Sequence, residues 1–512
     1  MLRSALLVVV ACLCACGAEP RTSAPSAEPE PPRTSEAEPV KVFVHLFEWT
    51  WSDVALECES FLGPNGIGAV QVSPPSEHAL LAGFPWWQRY QTVSYGLERS
   101  RSGDRGEFEA MVARCRSAGV GIYVDAVVNH MTAQTTGTGS AGTVYTKYDY
   151  PGLYDETSFH QPHCTIASDD YGSSADNVQR CELLGLADLD TGSDAVRRRI
   201  AGYLSELVEI GVAGFRIDAA KHVAPEDLAA IFGLVDEAVP EPAPYYFLEV
   251  IDPGGEAVRA ADYLDLGLPS SRLGVTEFRY ASVSDAFLNR NGHTLAELAT
   301  LDTEHSSLLP ADRAVVFTNN HDTQRASAIS YRDGALAQLA NVFMLAWPYG
   351  YPSLMSSYAF DVSTQGGRDQ GPPSDGAGNT RQVYDGAGQA ACPVAPEATA
   401  LGEWACEHRV PSVAQMVRFR AAVEDAPVTK WWDNGMNQIA FARGDQGFVV
   451  INRQDIALEQ SFDTGLAMGR YCDVLSTALP GECGALLDVD AEGRTTLAVS
   501  PLSAVALLKS IP

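Results

Sequence analysis

The strongest constraint on the fold is a series of short apolar runs separated by longer segments with helical periodicity. The runs are Val42–Leu46, Ala69–Val72, Gly121–Ala126, Gly214–Ile217, Tyr246–Val250, Val275–Phe278, Ala314–Thr318 and Val342–Ala346. Most are nearly continuous rather than alternating, the pattern of parallel strands covered on both faces. Between them, Val54, Cys58, Phe61 and Leu62 share one helical face, as do Val196, Ile200, Tyr203, Leu204 and Leu207. Pro225 stands where a helix would begin, ahead of the stripe Leu228, Ile231, Phe232 and Val235. Eight such units predict an α/β fold, a (β/α)8 TIM barrel. An open doubly wound sheet is the alternative, weakened because no G-x-G-x-x-G follows any run.

Two stretches do not fit the alternation. Residues 131–188, rich in Gly, Thr, Tyr and Asp, are too long for an ordinary loop and read as a subdomain inserted after strand 3. Beyond about Glu424 the pattern changes to short strands, Gln438–Ala442, Gly447–Asn452, Thr495–Ser500 and Ala504–Lys509. The expected division is therefore a barrel over 40–130 and 189–423, an inserted subdomain over 131–188, and a C-terminal all-β sandwich domain over 424–512.

The N-terminus reads as an export signal over 1–16. Arg3 supplies the positive start and Ala5–Ala11 an apolar stretch too short to span a bilayer. Leu13-Cys14-Ala15-Cys16 resembles a bacterial lipobox with Cys16 as the lipidated residue; Val9-Val10-Ala11-Cys12 is a weaker second candidate. Cleavage near Ala15 without lipid is the alternative. Residues 17–39 are Pro-, Glu-, Ser-, Thr- and Ala-rich with no hydrophobic period, the composition of a disordered linker. Three of the eleven cysteines fall in the signal, and the even remainder in an exported chain points to disulfides.

Asp and Glu number 65 against 35 Lys and Arg, a net charge of −30. That field repels phosphate backbones and anionic headgroups. It excludes nucleic acid as a partner class and leaves a lipid anchor as the route to a membrane. A neutral polymer remains compatible, and a monomer is the default state.

The ends of the apolar runs are unusually polar. Run three continues Asp125-Ala126-Val127-Val128-Asn129-His130; run four gives Arg216-Ile217-Asp218, then Lys221-His222; run five closes with Leu248-Glu249-Val250-Ile251-Asp252; run seven leads into Asn319-Asn320-His321-Asp322. In a barrel these ends share one rim, where chemistry gathers. One such carboxylate is ordinarily a cap or a satisfied polar group. Four on neighbouring strands point to paired-carboxylate chemistry such as glycoside hydrolysis. Arg216 lies two residues before Asp218, so both side chains face the same way, and its charge favours an ionised Asp218.

The segments DAVVNH, GFRIDAAKH, EVID and FTNNHD resemble the four signature regions of the α-amylases, glycoside hydrolase family thirteen. VHLFEWTWSDVALECE, VQVSPPSEH, WWQRYQ and QIAFARGDQGFVVIN are similar to the animal-type enzymes and their bacterial relatives. The resemblance covers essentially all of 40–512 and implies endohydrolysis of α-1,4-glucosidic bonds in starch or glycogen with retention. A maltooligosaccharide-forming amylase or transglycosylase of the same family is the alternative, and a non-catalytic glucan-binding lipoprotein is the alternative from another class.

The resemblance implies Asp218 as nucleophile, Glu249 as general acid/base and Asp322 as the residue that holds substrate and stabilises the transition state. Trp86, Trp87, Tyr90 and Gln91 would form a stacking platform. His130 and His321 would bind sugar hydroxyls beside the cleaved bond, and Lys221 and His222 the sugar on the aglycone side. A Ca2+ site would take side-chain oxygens from Asn129 and Asp188 and backbone carbonyls from Gln179 and His222. The family usually has Arg at Gln179, where the ligand is a backbone oxygen. Disulfides implied are Cys58–Cys115, Cys164–Cys181, Cys392–Cys406 and Cys472–Cys483.

Two departures follow from the same comparison. Animal enzymes bind an activating chloride with two arginines and an asparagine; Arg216 and Asn320 match two of these, but Ser353 occupies the third place. Chloride-independent activity is the expectation, because a buried anion needs positive partners. The Gly-rich loop expected after Asp322-Thr323-Gln324-Arg325 is replaced by the shorter run ASAISYRDG.

Overall fold

The structure is a computed structural model that describes residues 42–301, 307–477 and 483–509. The segments read as signal (1–16) and linker (17–39) lie outside the described residues.

Eight parallel strands close into a barrel: β1 (Phe43–Leu46), β2 (Ala69–Val72), β3 (Gly121–Ala126), β4 (Gly214–Ile217), β5 (Tyr245–Leu248), β6 (Leu273–Thr276), β7 (Ala314–Val316) and β8 (Tyr351–Ser356). Each pairs with its sequence neighbours, and β1 closes the ring against β8 with Phe43 opposite Ser353. The strands are almost wholly buried, as their uniform apolar composition requires. The floor of the barrel is filled by Phe43, Tyr123, Phe247 and Val315. Phe43 meets the rings of Tyr123, Phe247 and Tyr351 at centroid distances of 5.6, 5.2 and 4.9 Å.

Local signals start and stop the surrounding helices. Thr50 caps α1 (Trp51–Glu57) by accepting from the Asp53 N–H, and Asp104 forms a reciprocal capping box with Glu107 on α2 (Arg105–Ser117). Gly211, at φ 114°, ends the helix Asp194–Ile210, and Pro225 opens Pro225–Ala238. The chain between β3 and β4 carries a two-stranded ribbon (Thr136–Thr138 with Val144–Thr146) and the short helix α3 (Ala175–Arg180).

The eighth strand corrects the sequence reading. Val342–Ala346 is helical, the end of a helix spanning Ala335–Ala346, and the strand is Tyr351–Ser356. This helix is apolar nearly all round because it is covered twice. One side packs on the barrel, and the other meets the C-terminal strands, where Phe343 contacts Phe441 at 6.1 Å. Burial on two sides erases the amphipathic period, so such a run cannot be told from a buried strand.

The C-terminal part is all β. One sheet runs in the order 428–433, 438–443, 447–452, 503–508, 469–473 and 486–489, and a two-stranded sheet pairs 458–463 with 494–499. Phe448, Val450, Phe462, Leu497 and Leu507 fill the layer between them. Among the described residues four disulfides are present, and they are those the family resemblance implies: Cys58–Cys115, Cys164–Cys181, Cys392–Cys406 and Cys472–Cys483. Among the described residues no helix is long and apolar enough to cross a membrane.

Candidate active site

The carboxylates converge because the barrel register forces them to. On β4, Arg216 stands opposite Asp125 of β3, and Ile217 opposite Leu248 of β5. Asp218 and Glu249 are the residues that follow, on adjacent strands at the same rim. The Arg216 guanidinium lies beneath them. Its Nη1 donates to Asp218 at 2.8 Å and to Asp125 at 2.5 Å, and its Nη2 makes an ion pair with Glu249. The backbone N–H of Ala219 donates to the second oxygen of Glu249 at 2.9 Å. Ala219 does so from the left-handed region, at φ 50°, a conformation unusual for alanine and typical of strain held at a functional site.

Asp322 completes the set. Asp218, Glu249 and Asp322 line one cleft of about 510 Å3, together with Trp86, Trp87, Tyr90, His130, Lys221, His222 and His321. Asp322 is the most open of the three, with 39% of its side chain exposed. Burial raises the proton affinity of all three carboxyls, and Arg216 opposes the rise in each. The negative charge of Asp322 raises Glu249 further. Asp125, at the bottom of the cluster, is pushed up to about 6, chiefly by burial.

The aromatic residues sit on a turn over Trp86–Tyr90 that follows β2. Tyr90 stacks on His321 at 5.2 Å with the rings nearly parallel, while its hydroxyl donates to Asp125 at 2.9 Å. Trp86 donates to the Arg368 carbonyl at 3.0 Å, and the Arg325 guanidinium lies 4.6 Å from the Trp86 ring centroid. Burial holds His130 and His222 down at about 4 and lowers His321 well below the usual range. All three are therefore neutral near pH 7. His130 donates from Nε2 to the Tyr90 carbonyl at 3.0 Å.

Two predicted substrate residues sit differently from the rest. Gln91 does not line the cleft: its Oε1 accepts from the Ala133 N–H at 3.0 Å, tying the inserted segment to the barrel. Arg216 is buried under the carboxylates and faces a neighbouring cavity of about 20 Å3 instead, shared with His45, Asn320, His321 and Ser353. Asp125 is the residue the sequence reading quoted without assigning a role. Only the register opposite Arg216 reveals it as the counter-ion that orients the guanidinium and the Tyr90 hydroxyl.

At the base of the insertion the structure sets two of the residues named for the Ca2+ expectation side by side. Asn129–Met131 runs antiparallel to Ala187–Leu189, through Leu189 N–H to Asn129 O at 3.0 Å and Met131 N–H to Ala187 O at 2.9 Å. This sets Asn129 beside Asp188. The Oδ1 atoms of both are buried without a hydrogen-bond partner, and His160 holds the other oxygen of Asp188 at 2.6 Å. His222 donates from Nδ1 to the Val178 carbonyl at 2.8 Å, which brings Gln179 alongside. Among the described residues no cluster of three or more His, Cys, Asp or Glu is placed to hold a metal. A set of one carboxylate, one amide and carbonyl oxygens instead suits a hard cation.

The chain is similar to known proteins over most of its length. Residues 73–232 match the α-amylase catalytic domain, and residues 431–510 match the α-amylase C-terminal all-beta domain. An α-amylase of Oryzias latipes is 41% identical over 479 residues, covering 88% of this chain and 90% of its own. Human α-amylase 1B is 41% identical over 485 residues, covering 89% and 91%. The crystal structure of an α-amylase I variant from Eisenia fetida in complex with maltohexaose superposes with a TM-score of 0.80 at 37% identity, covering 92% of this chain and 97% of that one. With its closed barrel, its C-terminal β domain and this degree of identity across nearly nine-tenths of its length, the chain belongs to the α-amylase family of glycoside hydrolases.

Proposed function

We propose that the protein is an exported endo-acting α-amylase that cleaves internal α-1,4-glucosidic bonds of starch, glycogen and maltooligosaccharides with retention. The observation that carries this reading is the bridging of Asp218 and Glu249 by one guanidinium at the edge of a cleft that Asp322 also lines. Retention requires two carboxyl groups about 5–5.5 Å apart, one ionised and one protonated. Burial, with the charges of Glu249 and Asp125, pushes the Asp218 carboxyl well above the usual carboxylate range, and Arg216 is the opposing charge that favours its ionised, nucleophilic form. Glu249, raised by burial and by Asp322, carries the proton that goes to the leaving glycosidic oxygen. After the leaving chain departs, Glu249 takes a proton from water, which attacks the covalent glycosyl–Asp218 ester. Asp322 holds sugar hydroxyls and stabilises the oxocarbenium-like state. Trp86, Trp87 and Tyr90 offer apolar faces to the sugar ring, and His130, Lys221, His222 and His321 offer polar contacts. A neutral imidazole carries one donor and one acceptor nitrogen, and in His130 the donor is spent on the Tyr90 carbonyl.

Asn129, Asp188 and the carbonyls of Gln179 and His222 would hold Ca2+; when bound, the ion fixes the insertion against the barrel and so shapes the cleft. The two orphaned Oδ1 atoms support this assignment. Chloride activation is not expected. Of the groups around the cavity beside Ser353, Arg216 alone is cationic, and it already serves carboxylates. Four disulfides support export. The division proposed is 1–16 signal, 17–39 linker, 40–130 and 189–423 barrel, 131–188 insertion, 424–512 C-terminal domain, with Cys16 the candidate for lipidation and a monomer as the working state. The function is tested by a reducing-sugar assay on soluble starch, with Glu249→Gln as the inactive control. Activity that survives the substitution overturns the role given to Glu249.

A further inference from the structure

Asp322 stands on a turn with no strand or long helix to stiffen it. β7 ends at Val316, and Asp322 is followed by a single turn, Thr323–Arg325. The Asn320 side chain accepts from the N–H groups of Asp322 and Thr323 at 3.0 and 2.8 Å. The far end of the turn is held by Arg325, whose own N–H donates to the Asp322 carbonyl at 2.9 Å. Its guanidinium reaches back as well, and Nη1 donates to the His321 carbonyl at 2.5 Å. The other two nitrogens reach a different part of the chain: Nη2 donates to the Tyr358 hydroxyl at 2.8 Å, and Nε to the Arg368 carbonyl at 3.0 Å. That carbonyl also accepts from Trp86 at 3.0 Å. One guanidinium thus joins the turn of Asp322 to the segment against which Trp86 is fixed.

The surroundings of this cation leave its charge uncancelled. Arg325 is buried, and the three acceptors of its guanidinium are all neutral oxygens. The rings of Phe47, Trp86, Tyr358 and Phe360 enclose it, with centroids 5.5, 4.6, 5.6 and 4.3 Å from the guanidinium carbon. Ring faces stabilise a cation without neutralising it. A carboxylate partner is the ordinary compensation for a buried charge. Here the field instead reaches the turn in front of it. Burial raises the Asp322 carboxyl, and Arg216 and Arg325 oppose that rise. The other groups that face Asp322 are His321 on its own turn, with Nε2 3.4 Å from the carboxylate, Glu249 after β5, and Tyr90 after β2. We propose that Arg325 is a positioning residue for the cleavage reaction: it fixes the Asp322 carboxylate through the His321 carbonyl and sets an uncancelled positive charge behind it. Arg325 is not among the residues that line the cleft, so it acts through Asp322 rather than on the sugar.

This inference rests on the glucan-cleaving reading above, and the experiment separates the two. Initial rates on maltohexaose are measured well below the thermal midpoints for the wild type, Arg325→Met, Arg325→Lys and Asp322→Asn, and for each Arg325 variant combined with Asp322→Asn. Met fills the space and removes both charge and donors, whereas Lys keeps the charge but lacks the planar fork that serves three acceptors. The expected result is kcat lowered about 10- to 100-fold in Arg325→Met with a smaller change in KM, and a partial recovery of kcat in Arg325→Lys. Because Arg325 acts through Asp322, its replacement changes kcat by no more than about twofold once Asp322 is Asn. Losses that multiply independently in the double variants overturn the proposal, since a brace that only supports the fold gives that result. A kcat within about twofold of wild type in Arg325→Met overturns it as well. If Arg325→Met does not fold, the Arg325→Lys cycle is decided by the same two criteria. A wild type without activity on maltohexaose or soluble starch overturns the glucan reading itself, and the role of Arg325 with it.

Discussion

The Ala219 N–H donates to the Glu249 carboxylate at 2.9 Å, and it can do so only because Ala219 adopts a left-handed backbone next to Asp218. The proposed nucleophile and acid are thus coupled through one strained residue. Ala219→Gly keeps this geometry without the Cβ penalty, whereas Ala219→Val does not, because a β-branched side chain disfavours φ near +50°. The expected result is near wild-type kcat for Ala219→Gly and a fall of about 10- to 100-fold for Ala219→Val, with the larger effect on kcat than on KM.

The pH profile follows from the directions of the shifts. Glu249 must be protonated to act, so the rate falls on the alkaline side as it ionises. Asp322 is one of the groups that raises Glu249. Asp322→Asn removes that negative charge, so Glu249 loses its proton at lower pH and the alkaline limb of the residual activity moves toward acid. A limb that stays in place or moves to higher pH contradicts the coupling. The profile of kcat/KM on soluble starch reads this directly.

Removal of divalent cations is expected to lower the thermal midpoint of the wild type, and Ca2+ to restore it, through the oxygen site at Asn129 and Asp188. Asp188→Ala lowers the midpoint in Ca2+ and makes it insensitive to chelator. A chelator response of wild-type size in Asp188→Ala places the cation elsewhere.

Chloride added to dialysed enzyme is expected to leave the rate flat. Burial lowers His45 and His321, so both are neutral beside Ser353 and add no positive charge to the small cavity there. A many-fold activation by chloride contradicts this.

Legibility in the sequence varied with how local the determinant is. Carboxylates at the ends of apolar runs mark a barrel rim without any tertiary knowledge, but the choice of Asp218, Glu249 and Asp322 among them comes from the family resemblance. Seven of the eight barrel strands were placed within a few residues by the apolar runs themselves. Val342–Ala346 was misread because a helix buried on two faces loses its period. In the C-terminal part, 428–433, 458–463, 469–473 and 486–489 escaped notice: these strands carry charged or mixed residues on exposed faces, as in Leu458–Asp463. The role of Asp125 depends on its register opposite Arg216, which is not written in residue type.

In the proposed mechanism Asp218 attacks the sugar while Glu249 delivers and then reclaims a proton. The anomeric form of the first products tests it most directly, by proton NMR of maltohexaose within the first minutes of hydrolysis. Two displacements at one carbon predict reducing ends released as the α anomer and drifting to the equilibrium mixture afterwards. Release as the β anomer would require a single displacement by water and would contradict the roles assigned to both residues.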